Sequence, residues 1–155
     1  MIQRIQSLYL LLTFLSSLLF LSGNFLKFFN KTGSEITMNL KGIWQISEAG
    51  TMDLIQAQIP LSVIVLLIPV LSLTAIFLFK NRRLQKKFTI GIIFLDMGLL
   101  LYLILFAFLL INRYNVELVP HINLIIPPLV LILSILSYRG IKHDENLVKS
   151  YDRLR

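Results

Sequence analysis

Few side chains in this 155-residue sequence could carry out acid–base or metal chemistry. Asp96 is the one acidic residue inside a long apolar segment, and the two histidines, His121 and His143, are far apart in the chain. His143 stands beside Asp144 and Glu145, but in a polar tail we interpret this group as a solvated helix start. Cysteine is absent, so a disulfide, a thiolate metal site and a cysteine nucleophile are excluded. The sequence therefore predicts no catalytic, metal or cofactor site, and we expect a protein that is not an enzyme.

Asp96 is nevertheless a candidate for a polar site inside a membrane. An ionised carboxylate in hydrocarbon costs at least about 2.5–3.5 kcal/mol, so it should face the interior of a helix bundle, paired or protonated. Hydroxyl groups expected at a similar depth belong to Ser72, Thr74 and Ser134. Three interpretations stay open: a proton or cation site, a charge that pairs with a partner subunit, or an interior carboxyl that hydroxyls satisfy and that locks helix packing. The last is favoured because no relay of further carboxylates accompanies Asp96.

Four apolar segments are long enough to cross a bilayer, which takes about 20 apolar residues. They are residues 5–25, 59–79, 88–111 and 122–138, and apolar residues make up 56% of the whole sequence. A signal peptide is the alternative for the first segment, but its apolar run is too long and no small-residue cleavage site follows. We predict one membrane domain, residues 1–155, folded as an all-α bundle of four transmembrane helices.

Residues 26–58 form the one sizeable hydrophilic segment. Ile36, Met38 and Leu40 alternate with polar residues, which is strand periodicity. Turn-forming residues 31–34 precede them, and residues 25–30 could pair with the strand across that turn. The segment therefore predicts a small extracytoplasmic β-hairpin, with Trp44 near the headgroup level, where indole rings are favoured.

The distribution of lysine and arginine predicts the orientation. Eleven of them lie in the N-terminus, the 80–87 loop and the tail 139–155, and four lie on the other side. Because such residues accumulate on the cytoplasmic side, both termini and the 80–87 loop are expected there. The net charge of +7 then marks topology rather than a nucleic-acid site. Apolar residues at helical spacing in the tail predict an amphipathic cytoplasmic helix: Ile141, Leu147, Val148, Tyr151 and Leu154.

Three segments look like parts of a known family. They are residues 1–12, residues 78–85, and the tail, in particular residues 139–145 and 152–155. In them the chain resembles the Bacteroidota membrane protein family catalogued as domain of unknown function 4293. The resemblance covers essentially the whole chain, and it implies four spans in the inner membrane of a Gram-negative bacterium. It implies no activity and no set of functional residues.

The expected function is a non-catalytic accessory or structural subunit of a bacterial inner membrane complex. Its partners would be the lipid bilayer and integral membrane proteins, without nucleic acid or cofactor, and a homo-oligomer stays an open alternative. A small ion-coupled transporter or channel component built around Asp96 is the alternative function. The candidate docking residues lie at the cytoplasmic termini, where the family pattern also lies: Gln3, Arg4, Gln6, Tyr151, Asp152, Arg153 and Arg155.

Overall fold

The computed structural model of the chain describes residues 5–29, 35–46, 51–114 and 116–153, with side chains up to residue 146. Within these ranges lie four long helices and a five-stranded antiparallel sheet. All four helical segments are long and apolar enough to cross a membrane, as the sequence predicts. The helices are α1 (Ile5–Ser22), α2 (Ile59–Phe77), α3 (Arg82–Tyr114) and α4 (Ile126–Arg153).

The four helices form a ring in which each one packs on two neighbours. α1 lies between α4 and α2, and α3 lies between α2 and α4. Buried positions recur every three or four residues, a spacing typical of left-handed bundles. We call this buried line of residues the seam of each helix. On α1 the seam is Gln6, Leu10, Thr13, Ser17 and Phe20; on α3 it includes Gln85, Thr89, Ile92, Asp96 and Leu99.

Prolines stand where the helices can accommodate them. Pro60 is in the first turn of α2, where its missing N–H would be unpaired in any case. Pro69 lies inside α2 and removes the N–H that would bond the carbonyl of Val65, yet the helix continues past it. Pro127 and Pro128 stand in the first turn of α4, directly after a 3-10 turn at Ile122–Ile125.

α3 and α4 are longer than the predicted spans. α3 begins at Arg82, so most of the predicted 80–87 loop is helical, and α2 is joined to it through a 3-10 turn, Leu78–Lys80, and Asn81. α4 runs unbroken to Arg153, so the tail is not the separate amphipathic helix that the sequence predicts. At 1.5 Å per residue the two helices measure about 50 and 42 Å, against a hydrocarbon core of about 30 Å. Both helices are therefore longer than a hydrocarbon core is thick.

The predicted hairpin is confirmed, but it is part of a larger sheet. β1 (Leu26–Phe29) pairs antiparallel with β2 (Glu35–Asn39). The prediction missed β3 (Gly42–Ile46) and β4 (Met52–Gln56), which extend the sheet on one side, and β5 (Glu117–Leu118), which pairs with β1 on the other. All residues of β4 are exposed, so it has no buried face, and β5 has only two residues. Neither strand is therefore expected to show the alternation of polar and apolar residues from which strands are predicted.

One face of the sheet joins the core of the bundle. Five side chains on this face are at most 2% exposed: Leu26, Phe28, Ile36, Met38 and Ile43. The rings of Phe20 and Phe25 stack with centroids 4.4 Å apart, and Asn123 Nδ2 donates to the carbonyl of Asn24 at 3.0 Å. Ser62 Oγ donates to the carbonyl of Leu40. The sheet is thus fixed to one end of the bundle, the sheet end, and Asn81 marks the opposite end.

The close approach of α1 to α4 depends on Gly140. A Cβ at this position would lie 3.2 Å from the Cβ of Gln6. Gly140→Leu is therefore expected to push the helices apart and lower the free energy of unfolding by about 1–3 kcal/mol. Thermal unfolding in detergent measures this. Gly98→Leu is the matched control, because a Cβ there meets nothing within 4 Å. Equal melting temperatures for the two variants would contradict the packing.

Candidate functional site

Asp96 lies in the interior of the bundle and has no exposed surface. It borders a cavity of about 10 Å³, which is the room that one water molecule needs. Neither carboxyl oxygen has a hydrogen-bond partner in the protein. The interior position agrees with expectation, whereas the expected hydroxyl partners do not contact the carboxyl. All four helices line the cavity, through Ser17, Phe20, Val65, Ile68, Leu99, Ile126, Pro127 and Val130.

The three hydroxyl residues predicted near Asp96 are not among the residues that line this cavity. Ser72 and Ser134 are fully buried and Thr74 is half-buried. Each hydroxyl donates to a carbonyl of its own helix: Ser72 to Pro69 at 3.1 Å, Thr74 to Leu71 at 2.8 Å, and Ser134 to Val130 at 2.8 Å. Hydroxyls in helices often bond in this way. Although these residues lie at the predicted depth, none of their hydroxyls forms a hydrogen bond with the carboxyl of Asp96.

Ser17 is the hydroxyl residue that shares the cavity with Asp96, and the sequence analysis missed it. Its Oγ donates to the carbonyl of Phe14 at 2.8 Å, which leaves its lone pairs able to accept. A signal was present in the sequence. Gln6, Thr13 and Ser17 recur at helical spacing along the uncharged first span, which places three polar residues on one face of α1.

A second group of buried polar side chains lies near the Asn81 end. Gln85 is fully buried, and neither its amide nitrogen nor its amide oxygen has a partner in the protein. Gln6 is 4% exposed, and its carbonyl accepts from Ser137 Oγ at 3.3 Å. Gln6, a candidate docking residue from the sequence, thus packs closely on Gly140 inside the bundle.

The acidic residues of the tail bind the beginning of α3. Arg82 donates to the carbonyl of Asp144 at 2.7 Å, and Lys86 pairs with Glu145 at 2.6 Å. His143, beside them, is exposed. The described part of the chain contains no group of three His, Asp or Glu residues that could hold a metal ion. The tail is therefore fixed to α3, at least to this point.

The remaining predicted docking residues lie at the limits of the described chain. Tyr151, Asp152 and Arg153 belong to the last turn of α4, and their side chains are outside the described part. Gln3, Arg4 and Arg155 are outside the described residues altogether.

The sheet end carries a concave surface. A groove of about 550 Å³ lies between the end of α1 and the sheet face that points away from the core. Lys27 and Glu35 pair within it at 3.4 Å, and Trp44 Nε1 donates to Asn39 Oδ1 at 3.2 Å. Met52 of the edge strand β4 lines this groove and is 66% exposed, and Leu54 of the same strand is 50% exposed.

Comparison with known proteins places the chain in a family. The profile of the family described as Domain of unknown function (DUF4293) matches residues 2–154. The chain belongs to the DUF4293 family. Since the match covers essentially the whole chain, it confirms the resemblance seen in the termini and the middle segment. No curated protein and no solved structure matches the chain. For this DUF4293 chain, function must therefore be argued from the geometry.

The pairing of the tail with α3 can be tested by reversing its charges. Lys86→Glu places two carboxylates together, and we expect the free energy of unfolding to fall by about 1 kcal/mol. Combining Lys86→Glu with Glu145→Lys should restore most of the loss, because the pair is re-formed with opposite sense. Thermal unfolding and hydrogen exchange of residues 139–146 report both effects.

Lys87→Glu is the control for this exchange of charges, since Lys87 is the exposed neighbour of Lys86. It should change the free energy of unfolding by no more than about 0.5 kcal/mol. If the double variant is no more stable than Lys86→Glu alone, the tail is not held by this pair.

Proposed function

We propose that this protein is a non-catalytic accessory or structural subunit of a bacterial inner membrane complex, with both termini in the cytoplasm. The observation that carries the proposal is the uncovered edge strand β4. All five of its residues are exposed, and among the described residues it stands at the end of the sheet with a partner strand on one side only. Its outer main-chain groups are therefore open to another chain.

The position of β4 makes lipid a poor cover for it. Open sheet edges do not occur in the hydrocarbon region, because unpaired N–H and C=O groups there have nothing to bond. The exposed apolar residues of the helices face lipid and need no protein partner. Lipid does not explain the exposed apolar residues of β4. An exposed apolar strand edge in water is an aggregation hazard. A partner protein that covers Met52, Leu54 and Ile55 removes that hazard.

The opposite end of the bundle supports the same proposal. α3 and α4 extend beyond the apolar layer and are joined there by the Lys86–Glu145 ion pair. Such a rigid, charged projection suits a docking platform in the cytoplasm. The last turn of α4, with Tyr151, Asp152 and Arg153, stays in the proposal as the second contact surface.

The test is purification of the chain, expressed at its native level, in mild detergent, followed by mass spectrometry. We expect a stoichiometric membrane protein partner. Leu54→Lys should lower its recovery at least several-fold, because a lysine on the edge opposes strand pairing and must be desolvated in an interface.

Val119→Lys is the matched control, since Val119 is an exposed aliphatic residue (38%) at the opposite edge of the same sheet. Its partner recovery should equal that of the natural chain. Recovery of the natural chain alone, or as a homo-oligomer, would refute an accessory role.

A second candidate function is a small ion-coupled transporter or channel component. The observation that favours it is Asp96, a fully buried carboxyl without a protein partner. Burying an ionisable group inside a membrane bundle is unfavourable in free energy, and such groups often mark ion or proton pathways. This candidate needs the carboxyl itself, whereas docking through β4 does not.

Proteoliposomes with an entrapped pH dye test this second function. The natural chain should collapse an imposed pH gradient faster than protein-free vesicles, and Asp96→Asn should abolish the difference. Asp53→Asn, which neutralises an exposed carboxylate on β4, is the control and should behave like the natural chain. If the natural chain matches protein-free vesicles, proton transport by the chain alone is ruled out.

A further inference from the structure

The half of the bundle toward Asn81 buries polar side chains among apolar ones. On α3, Gln85, Thr89 and Asp96 are fully buried, and on α1, Gln6, Thr13 and Ser17 are at most 4% exposed. We call these six residues the polar column. Ser72 of α2 and the serines Ser134 and Ser137 of α4 are also buried, and Ser137 Oγ donates to the carbonyl of Gln6 at 3.3 Å. All four helices therefore bury hydroxyl or amide groups in the bundle.

The two halves of the column run at matching levels. α1 and α3 both run from the Asn81 end toward the sheet end. Ser17 and Asp96 border one cavity, and each lies eleven residues after the glutamine that begins its half of the column. At 1.5 Å per residue, both halves therefore extend about 16 Å from the glutamines to the cavity.

The unpaired polar atoms of the column are concentrated at its two ends. Both amide atoms of Gln85 and both carboxyl oxygens of Asp96 have no protein partner. Between them, Thr89 Oγ1 donates to the carbonyl of Gln85 at 2.9 Å, and Thr13 Oγ1 donates to that of Tyr9 at 2.9 Å. Each of these hydroxyls can still accept a hydrogen bond. Buried groups of this kind are ordinarily satisfied by ordered water.

The column ends at the cavity. The next seam positions toward the sheet end are apolar on three helices: Phe20, Leu61 and Leu99 are all buried. Only beyond them does another buried polar residue follow, Gln58, whose side-chain oxygen accepts from the hydroxyl of Tyr102. On the Asn81 side of the cavity, polar seam residues alternate with the buried Leu10 and Ile92, whereas on the sheet side the adjoining seam positions are apolar.

We propose that the polar column is a hydrated half-path along which protons move between the Asn81 end of the bundle and a proton-binding site at Asp96 and Ser17. The proton is bound at a carboxyl oxygen of Asp96, and a single water in the cavity joins that group to the Ser17 hydroxyl. Divalent cations take six or more oxygen ligands, whereas only two side chains with oxygen line this cavity. A proton, which needs one acceptor, fits the site.

The charge environment of the carboxyl is simple in the described part of the chain. The cavity residues from α1, α2 and α4 are serine, proline and apolar residues, and none is ionisable. From α3 itself, only Leu99 joins Asp96 there. The protonation of Asp96 is therefore coupled to water in the column rather than to a neighbouring charge. The inference does not rest on docking through β4, and it supplies the site that an ion-coupled function would need.

Infrared spectroscopy of the full chain in lipid vesicles tests the proposal. The C=O stretching band of a protonated carboxyl should appear on acidification and be absent in Asp96→Asn. Transfer to deuterated buffer shifts this band as the proton exchanges. Thr89→Val, which removes one hydroxyl from the column at nearly constant volume, should slow that exchange about tenfold, the effect of one lost hydrogen bond along the path.

Two further variants make the test specific. Thr74→Val removes a half-buried hydroxyl that lies outside the column, and Gln58→Leu removes an amide on the far side of the apolar residues. Both should leave the exchange rate unchanged. A carboxyl band that does not titrate, an exchange rate insensitive to Thr89→Val, or one equally slowed by Gln58→Leu would overturn the half-path. None of these results bears on partner recovery, so the docking proposal succeeds or fails separately.

Discussion

The absence of water from the hydrocarbon layer is the constraint on which the rest of the structure depends. Helices satisfy every main-chain group internally, so each polar side chain on the seams has to find its own partner. Most of the hydroxyls donate to the preceding turn of their helix, as Thr13 and Ser134 do. In the described residues, the buried side-chain atoms without a protein partner belong to Gln58, Gln85 and Asp96. These three residues are therefore the places where the interior of the bundle is not explained by packing alone.

The two ends of the bundle meet this constraint differently. At the Asn81 end, α3 and α4 carry charged side chains, and Lys86 of α3 pairs there with Glu145 of α4. At the sheet end the chain leaves helical structure, and β1 and β2 bury an apolar face that continues the core of the helices. An open sheet edge such as that of β4 is not found in the hydrocarbon region of a bilayer. The bundle thus has a charged helical end and an end with an open strand.

The sequence predicts the elements better than the contacts between them. Apolar length gives four helices, and alternation gives the pairing of β1 with β2. The continuity of α4 was missed because the loss of apolar residues after Tyr138 marks the end of the apolar layer, not of the helix. The burial of Gln6 follows from its contact with Gly140, 134 residues later in the chain. Periodicity identifies residues on one face of a helix, but which neighbour that face meets requires the arrangement of all four.

Docking alone does not explain the interior of the bundle. Four helices that served only to carry a sheet would be more stable with leucine in place of Gln85 and Asp96, since each unsatisfied buried polar group costs about 1–3 kcal/mol. The polar column therefore lowers the stability of the fold, and docking through an edge strand at the other end of the molecule gives no reason for that loss. Substitutions in the column and at β4 lie on opposite sides of the apolar residues Phe20, Leu61 and Leu99. Because distant sites with no shared partners act independently, the two features are separable, and a chain that has lost one should retain the other.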